Sequence, residues 1–286
     1  MSQSSQNTPL PRKPVQSYLQ WLYAFWKFSR PHTIIGTSLS VLGLYLIAIA
    51  VSTGAMNRVS TTYSLLSVLG AWIACLCGNV YIVGLNQLED VEIDKINKPH
   101  LPLASGEFSQ QTGQLIVAST GILALVVAWL TGPFLLGMVA ISLAIGTAYS
   151  LPPIRLKQFP VWAALCIFSV RGTIVNLGLY LHYSWALQQS QTIPPVVWVL
   201  TLFILVFTFA IAIFKDIPDM EGDRLYNITT FTIKLGPQAV FNLALWVITA
   251  CYLGIILVGV LRVASVNAIF LVIAHLGCWL GCGCGV

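Results

Sequence analysis

Charge is scarce in this sequence. Only 8% of its 286 residues are Asp, Glu, Lys or Arg, while 57% are hydrophobic and the mean hydropathy is +0.83. An ordinary soluble domain could not bury that much apolar side chain. Long polar stretches are missing too, which leaves no room for a second, water-soluble domain. The short alternating segments of a membrane β-barrel do not occur. There is no CxxC pair among the seven cysteines, and Cys75, Cys77, Cys166 and Cys251 fall inside apolar runs, as small buried residues do. Nor do the first 30 residues hold the apolar core of a cleavable leader. Arg12, Lys13, Pro9, Pro11 and Pro14 precede nothing of that kind, and arginines are too few for a transit peptide.

What is present is apolar length. Runs near 33–51, 66–88, 112–131, 134–150, 160–182, 196–214, 238–260 and 265–281 predict eight membrane helices. The fold class is therefore an all-α polytopic membrane protein. Residues 1–16 read as a disordered arm. Residues 18–29 mix aromatics with a few polar positions, which suits a helix lying in the headgroup region. Thr131-Gly132-Pro133 marks a tight hairpin turn. With the N-terminus on the cytoplasmic side, eleven of the fourteen basic residues fall inside. Arg58 and Arg262 fall outside, and Arg171 lies mid-span. All nine acids share the basic face, although the positive-inside rule does not require it.

Those acids form two bursts, each at the end of an apolar run. In the first, Asn86, Asp90 and Asp94 are spaced i, i+4, i+8, which on one helix forms a slowly drifting stripe. In the second, Asp219 and Asp223 repeat the four-residue spacing. Asp216 lies before Pro218, which is placed to open a short helix at its first turn. Two facing carboxylate stripes repel, so a cation belongs between them. Oxygen ligands without a His or Cys cluster favour Mg2+ or Ca2+, and Mg2+ is commonly shared with substrate phosphates. Arg155, Lys157, Lys215 and Arg224 lie on the same face, suited to the remaining phosphate charge. The ligand that fits is a metal-bound diphosphate at the membrane surface, with an organic tail among the helices. One such cluster alone reads as a solvated loop. Two at helix ends on the basic face make that reading the weaker one. Ion transport is disfavoured, because transport acids lie within the bilayer and no span here has a central carboxylate.

Asn86-x3-Asp90-x3-Asp94 and Lys215-Asp216-x2-Asp219-x2-Gly222-Asp223 resemble the two signatures of the UbiA family of intramembrane aromatic prenyltransferases. The segments 28–36, 78–88, 96–106 and 148–157 are similar to its homogentisate-using group. Leu101 stands where many other members carry Arg before Pro-Leu-x-Ser-Gly. The resemblance implies a UbiA-like helix bundle over 31–286, with 1–30 as an arm and interfacial helix. It implies transfer of a prenyl group, phytyl in this group, from its diphosphate to homogentisate with loss of CO2, as in tocopherol synthesis. Mg2+ would be held by Asp90, Asp94, Asp219 and Asp223, with Asp216 as a further ligand or a supporting group. Asn86 would orient that shell, and Arg155, Lys157, Lys215 and Arg224 would contact diphosphate. The ring of Tyr149 is a candidate shield for the allylic cation, Arg171 for holding a substrate carboxylate or pairing with an acid, and Asn176 for a helix–helix hydrogen bond. His32 reads as a headgroup-level residue, and His275 has no assigned role.

Members of the family usually have nine helices. The eight counted here, followed by a Gly/Cys tail with Cys278, Cys282 and Cys284, leave the ninth missing. The expected partners are the two substrates and the bilayer, without nucleic acid, in a bacterial or cyanobacterial membrane. Alternatives are another donor such as geranylgeranyl diphosphate, another aromatic acceptor, or a non-catalytic membrane protein that binds divalent cations or lipid diphosphates.

Overall fold

The computed structural model describes residues 17–51, 61–262 and 267–283. The expected disordered arm with Arg12 and Lys13, the outer Arg58, and Cys284 lie outside the described residues.

Every regular element among the described residues is helical. The order is α1 (Tyr18–Phe28), α2 (Pro31–Val51), α3 (Thr61–Glu89), α4 (Val91–Asn97), α5 (Gln110–Thr131), α6 (Pro133–Ser150), α7 (Pro160–Phe168), α8 (Val175–Ala186), α9 (Pro195–Phe214), α10 (Met220–Leu225), α11 (Phe231–Leu235), α12 (Pro237–Val260) and α13 (Ala268–Gly283). A π-helical turn, Ser169–Ile174, joins α7 to α8, making one span of 27 residues from Pro160 to Ala186. Among the described residues seven helices are long and apolar enough to cross a membrane. The eighth expected span is the shorter α13, of 16 residues.

The bundle is apolar on both sides of its wall. Leu46, Leu130, Trp246 and Ile269 face outward, where a soluble protein would place charge. Inside, α3 packs against α2, α5, α6 and α8, and the contacts are built largely from small residues. Ala48, Ala71, Ala74, Ala124 and Ala128 are fully buried, which lets the helix axes approach.

The aromatic segment forms α1, capped by the Ser17 hydroxyl, which accepts from Gln20 N. Ala24 and Phe28 are buried, with Phe28 against Phe108, while Tyr23 and Trp26 are exposed. The Lys27 ammonium meets the Glu107 carboxylate at 2.5 Å and fastens α1 to the loop after α4. This is the geometry of an interfacial helix with one side anchored.

Two sequence expectations need correction. Asn86, Asp90 and Asp94 do not lie on one helix: α3 stops at Glu89, and Asp90 leaves helical geometry at φ −112°, ψ 18° as the residue before α4. Side-chain partners on other elements hold Asp90 there, as the site below shows. Helical bonds still cross the break, from Asp90 N to Asn86 O (3.1 Å) and from Asp94 N to Asp90 O (2.7 Å), so the register survives. Pro218 does not open α10, which starts two residues later at Met220 with Asp219 before it. An Asp at a helix start suits the positive end of the helix dipole better than the expected Pro.

Candidate active site

The first acid cluster is assembled from four segments. Asn86 Nδ2 donates to Asp90 Oδ2 at 3.0 Å, and Arg30 Nη2 reaches Asn86 Oδ1 at 3.5 Å. From the loop after α6, Arg155 Nη2 donates to Asp90 Oδ1 (3.1 Å) and Lys157 Nζ to Asp90 Oδ2 (2.6 Å). Arg155 adopts a left-handed backbone, φ +37°, and Arg30 does likewise at φ +52°. Such strain in a non-glycine residue is kept only where the surroundings fix it, here by the contacts to Asp90 and Asn86. Lys157 is 5% exposed, and burial pushes its ammonium below the usual lysine range despite the Asp90 carboxylate beside it.

The second cluster follows α9. Lys215 Nζ donates to Asp216 Oδ1 at 2.7 Å. Asp219 precedes α10, and Asp223 lies buried in its first turn. Lys98, at the end of α4, donates to Asp219 Oδ2 at 2.5 Å.

One side chain joins the clusters. Asn97 Nδ2 donates to the Asp219 carbonyl at 2.9 Å, and Asn97 Oδ1 accepts from Gly222 N, also at 2.9 Å. Both ends of the Asn97 side-chain amide are thus spent on α10 and the residue before it. A Cβ at Gly222 would lie 2.6 Å from Asn97 Oδ1, so only glycine permits the approach.

The electrostatics are unbalanced at two acids. Burial pushes Asp94 up to about 6, against Arg30 and Lys98, which pull it down. Burial likewise pushes Asp223 up to about 7, helped by Asp219 and Asp216. Asp94 Oδ2 and Asp219 Oδ1 are buried without a hydrogen-bond partner. Buried carboxyl oxygens without partners, beside further carboxylates, form a donor set suited to a hard divalent cation. The residues therefore fit the metal the sequence implied. Among the described residues no three His, Cys, Asp or Glu groups yet converge on one point. Lysines and arginines hold Asp90, Asp216 and Asp219 individually.

The remaining sequence candidates divide. Tyr149, at the end of α6, lies within electrostatic reach of Lys215, Asp216, Asp90 and Arg30. Arg224 stands exposed on α10, and no described contact joins it to the acids. Arg171 lies in the π-turn and shares a neighbourhood with His32 and, through it, Arg30. Asn176 makes no bond between helices. Its Nδ2 donates to Arg171 O (3.3 Å) and Gly172 O (2.7 Å), carbonyls freed by the wide turn. Sequence reasoning missed Asn97 as the bridge, counted Lys98 only among the eleven basic residues of the inner face, and gave Arg30 no place beside Asn86. The one available signal was that Asn97 and Lys98 follow Asp94 by a single helical turn.

An intramembrane helix bundle with paired acid half-sites and clustered cations at one end defines a class of membrane-embedded diphosphate-handling enzymes. The chain belongs to the UbiA prenyltransferase family, whose family model matches residues 32–285. It is 55% identical over 255 residues to homogentisate phytyltransferase of Synechocystis sp., covering 89% of this chain and 82% of that one. To homogentisate phytyltransferase 1, chloroplastic, of Arabidopsis thaliana it is 42% identical over 267 residues, covering 91% of this chain and 66% of that one. Its fold is similar to that of a UbiA homolog from Archaeoglobus fulgidus bound to GPP and Mg2+, with TM-score 0.63, 15% identity, and coverage of 90% of this chain and 86% of that one.

Proposed function

We propose that this chain transfers a phytyl group from its diphosphate to homogentisate with loss of CO2, at a Mg2+ site formed by Asp90, Asp94, Asp219 and Asp223. The observation that carries the reading is the junction of α4 and α10 through Asn97. It brings two acid clusters, more than 120 positions apart in sequence, to one place and leaves carboxyl oxygens open there. The 55% identity to the cyanobacterial phytyltransferase supports the choice of donor and acceptor.

When bound, Mg2+ would neutralise charge on the departing diphosphate. The chain's own residues do the rest. Lys157 and Arg155, which now stand on Asp90, would hold diphosphate oxygens if that carboxylate served the metal. Lys98 stands in the same relation to Asp219, and Lys215 to Asp216. Asn86 fixes the orientation of Asp90. The Tyr149 ring can face the allylic cation, and the apolar helices keep out the water that would trap it. The electron-rich ring of homogentisate attacks the allylic carbon. The ring proton then lost balances the proton gained by the benzylic carbon as CO2 leaves. The basic face supports the cytoplasmic side of a cyanobacterial plasma or thylakoid membrane as the place of this chemistry.

The test uses the purified full chain in lipid nanodiscs with phytyl, geranylgeranyl and longer prenyl diphosphates, homogentisate and other aromatic acids, with and without Mg2+. Phytyl diphosphate and homogentisate should give prenylated product and CO2 in a Mg2+-dependent reaction. The reading fails if no donor leads to consumption of homogentisate, or if chelation leaves the rate unchanged.

A further inference from the structure

We infer that Arg171, carried by the π-helical turn, is the anchoring site for the carboxylate of the aromatic acceptor. This rests on the reading above and concerns a part of the molecule that the metal and diphosphate do not require. Arg171 lies about three turns inside a 27-residue membrane span. A charge at that depth is costly and ordinarily finds an internal acid. Among the described residues the guanidinium has no ion pair or hydrogen bond. The residue is exposed, so no packed side chain covers it.

Its surroundings fix where it points. The π-turn closes with the bond from Val175 N to Val170 O, and the Asn176 side chain takes up the spare carbonyls. Gly172 is pressed onto α9, where an added Cβ would lie 2.7 Å from Leu205 Cα. The turn is therefore clamped at the next residue, and Arg171 projects from a neighbouring face of the helix. That face shares a neighbourhood with His32, which also senses Arg30 beside Asn86. Arg171 thus lies within electrostatic reach of His32, two residues after Arg30. A π-turn inserted in a helix often marks a functional position, and this one presents a free guanidinium.

The ligand class follows from charge. Arg155, Lys157, Lys98 and Lys215 already stand on acids at the end of the bundle, where metal and diphosphate would exchange with them. Arg171 has no such partner, so a second anion must supply one. A planar guanidinium matches a carboxylate in two parallel hydrogen bonds, and little water competes inside the span. An arylacetate acceptor brings such a carboxylate on the ring to be prenylated.

The experiment compares wild type with Arg171→Met and Arg171→Lys in nanodiscs, with phytyl diphosphate and Mg2+ as co-substrates. The acceptors are homogentisate and methylhydroquinone, the same ring without the carboxylate. Arg171→Met should raise KM for homogentisate about 10- to 100-fold, the range for losing a charged hydrogen-bonded pair. KM for phytyl diphosphate should stay within about twofold, methylhydroquinone should be used no worse than by wild type, and Arg171→Lys should recover part of the loss. An unchanged homogentisate KM overturns the inference. So does an equal loss for both acceptors, or a raised KM for phytyl diphosphate, which would assign Arg171 to the fold or to the donor. Should wild type consume no homogentisate, the preceding reading falls by itself. Equilibrium binding of homogentisate, followed by tryptophan fluorescence, then decides this one: weaker binding in Arg171→Met supports it and equal binding overturns it.

Discussion

Asn97 and Gly222 meet at 2.9 Å through the Gly222 N–H and the Asn97 side-chain oxygen, across 125 positions of sequence. With the second bond from Asn97 to the Asp219 carbonyl, the contact sets the separation of the two acid clusters. Asn97→Ala should therefore lower kcat/KM for phytyl diphosphate by about 10-fold or more while the fold persists, each lost bond costing roughly 1 kcal/mol. Gly222→Ala should be as harmful, because its Cβ meets the Asn97 amide. The double variant removes that clash and should be more active than Gly222→Ala alone. A double variant no better than the single would show that Gly222 is needed for some other reason.

Asp90 and Lys157 form a nearly buried ion pair, 2.6 Å apart. Removing one partner strands the other, at a cost of roughly 3–5 kcal/mol. Asp90→Asn should thus lower the thermal midpoint in detergent and abolish prenylation together. Asp90→Asn with Lys157→Met should regain stability and remain inactive. If activity returns with stability, Asp90 acts only in the fold.

Burial has a pH consequence at Asp94 and Asp223. Their folded values, about 6 and about 7, lie above the ordinary carboxyl value of 3.8. The folded chain thus holds these protons more tightly than the unfolded chain does. The stability they contribute is full below about pH 4 and is lost as pH rises through about 6 and 7. In chelator-treated protein the thermal midpoint should fall between pH 5 and pH 8. Asp94→Asn combined with Asp223→Asn should flatten that profile. Mg2+ should raise the midpoint at pH 8 and do little at pH 5, where protons hold its ligands. A midpoint that climbs steadily from pH 5 to 8 without metal would contradict the burial of these two groups.

The spans and both acid clusters were legible because each depends on residues near one another in sequence. Apolar length gave the helices, and four-residue spacing with clustered charge gave the half-sites. Asn97 was not legible as a bridge, because its partners lie more than 120 positions away and an Asn after an acidic helix is unremarkable alone. The break at Asp90 was hidden for a similar reason: no Gly or Pro marks it, and it is held by Arg155 and Lys157 from another loop. The π-turn has no composition signal either. It shows in the backbone bond from Val175 N to Val170 O, with Gly172 clamped against α9 and Asn176 bonded to the turn's carbonyls.

The pairings of Asp90, Asp216 and Asp219 have one more consequence. Each acid already carries its own counterion from the chain. Under the proposed function, loading the site would be ion exchange: an incoming cation would displace lysine from carboxylate, and the displaced lysine would take an anion. A metal without its diphosphate leaves positive groups stranded, and a diphosphate without metal finds its lysines engaged. The two should enter as a pair, each raising the other's apparent affinity, and added salt should weaken the joint step more than either alone.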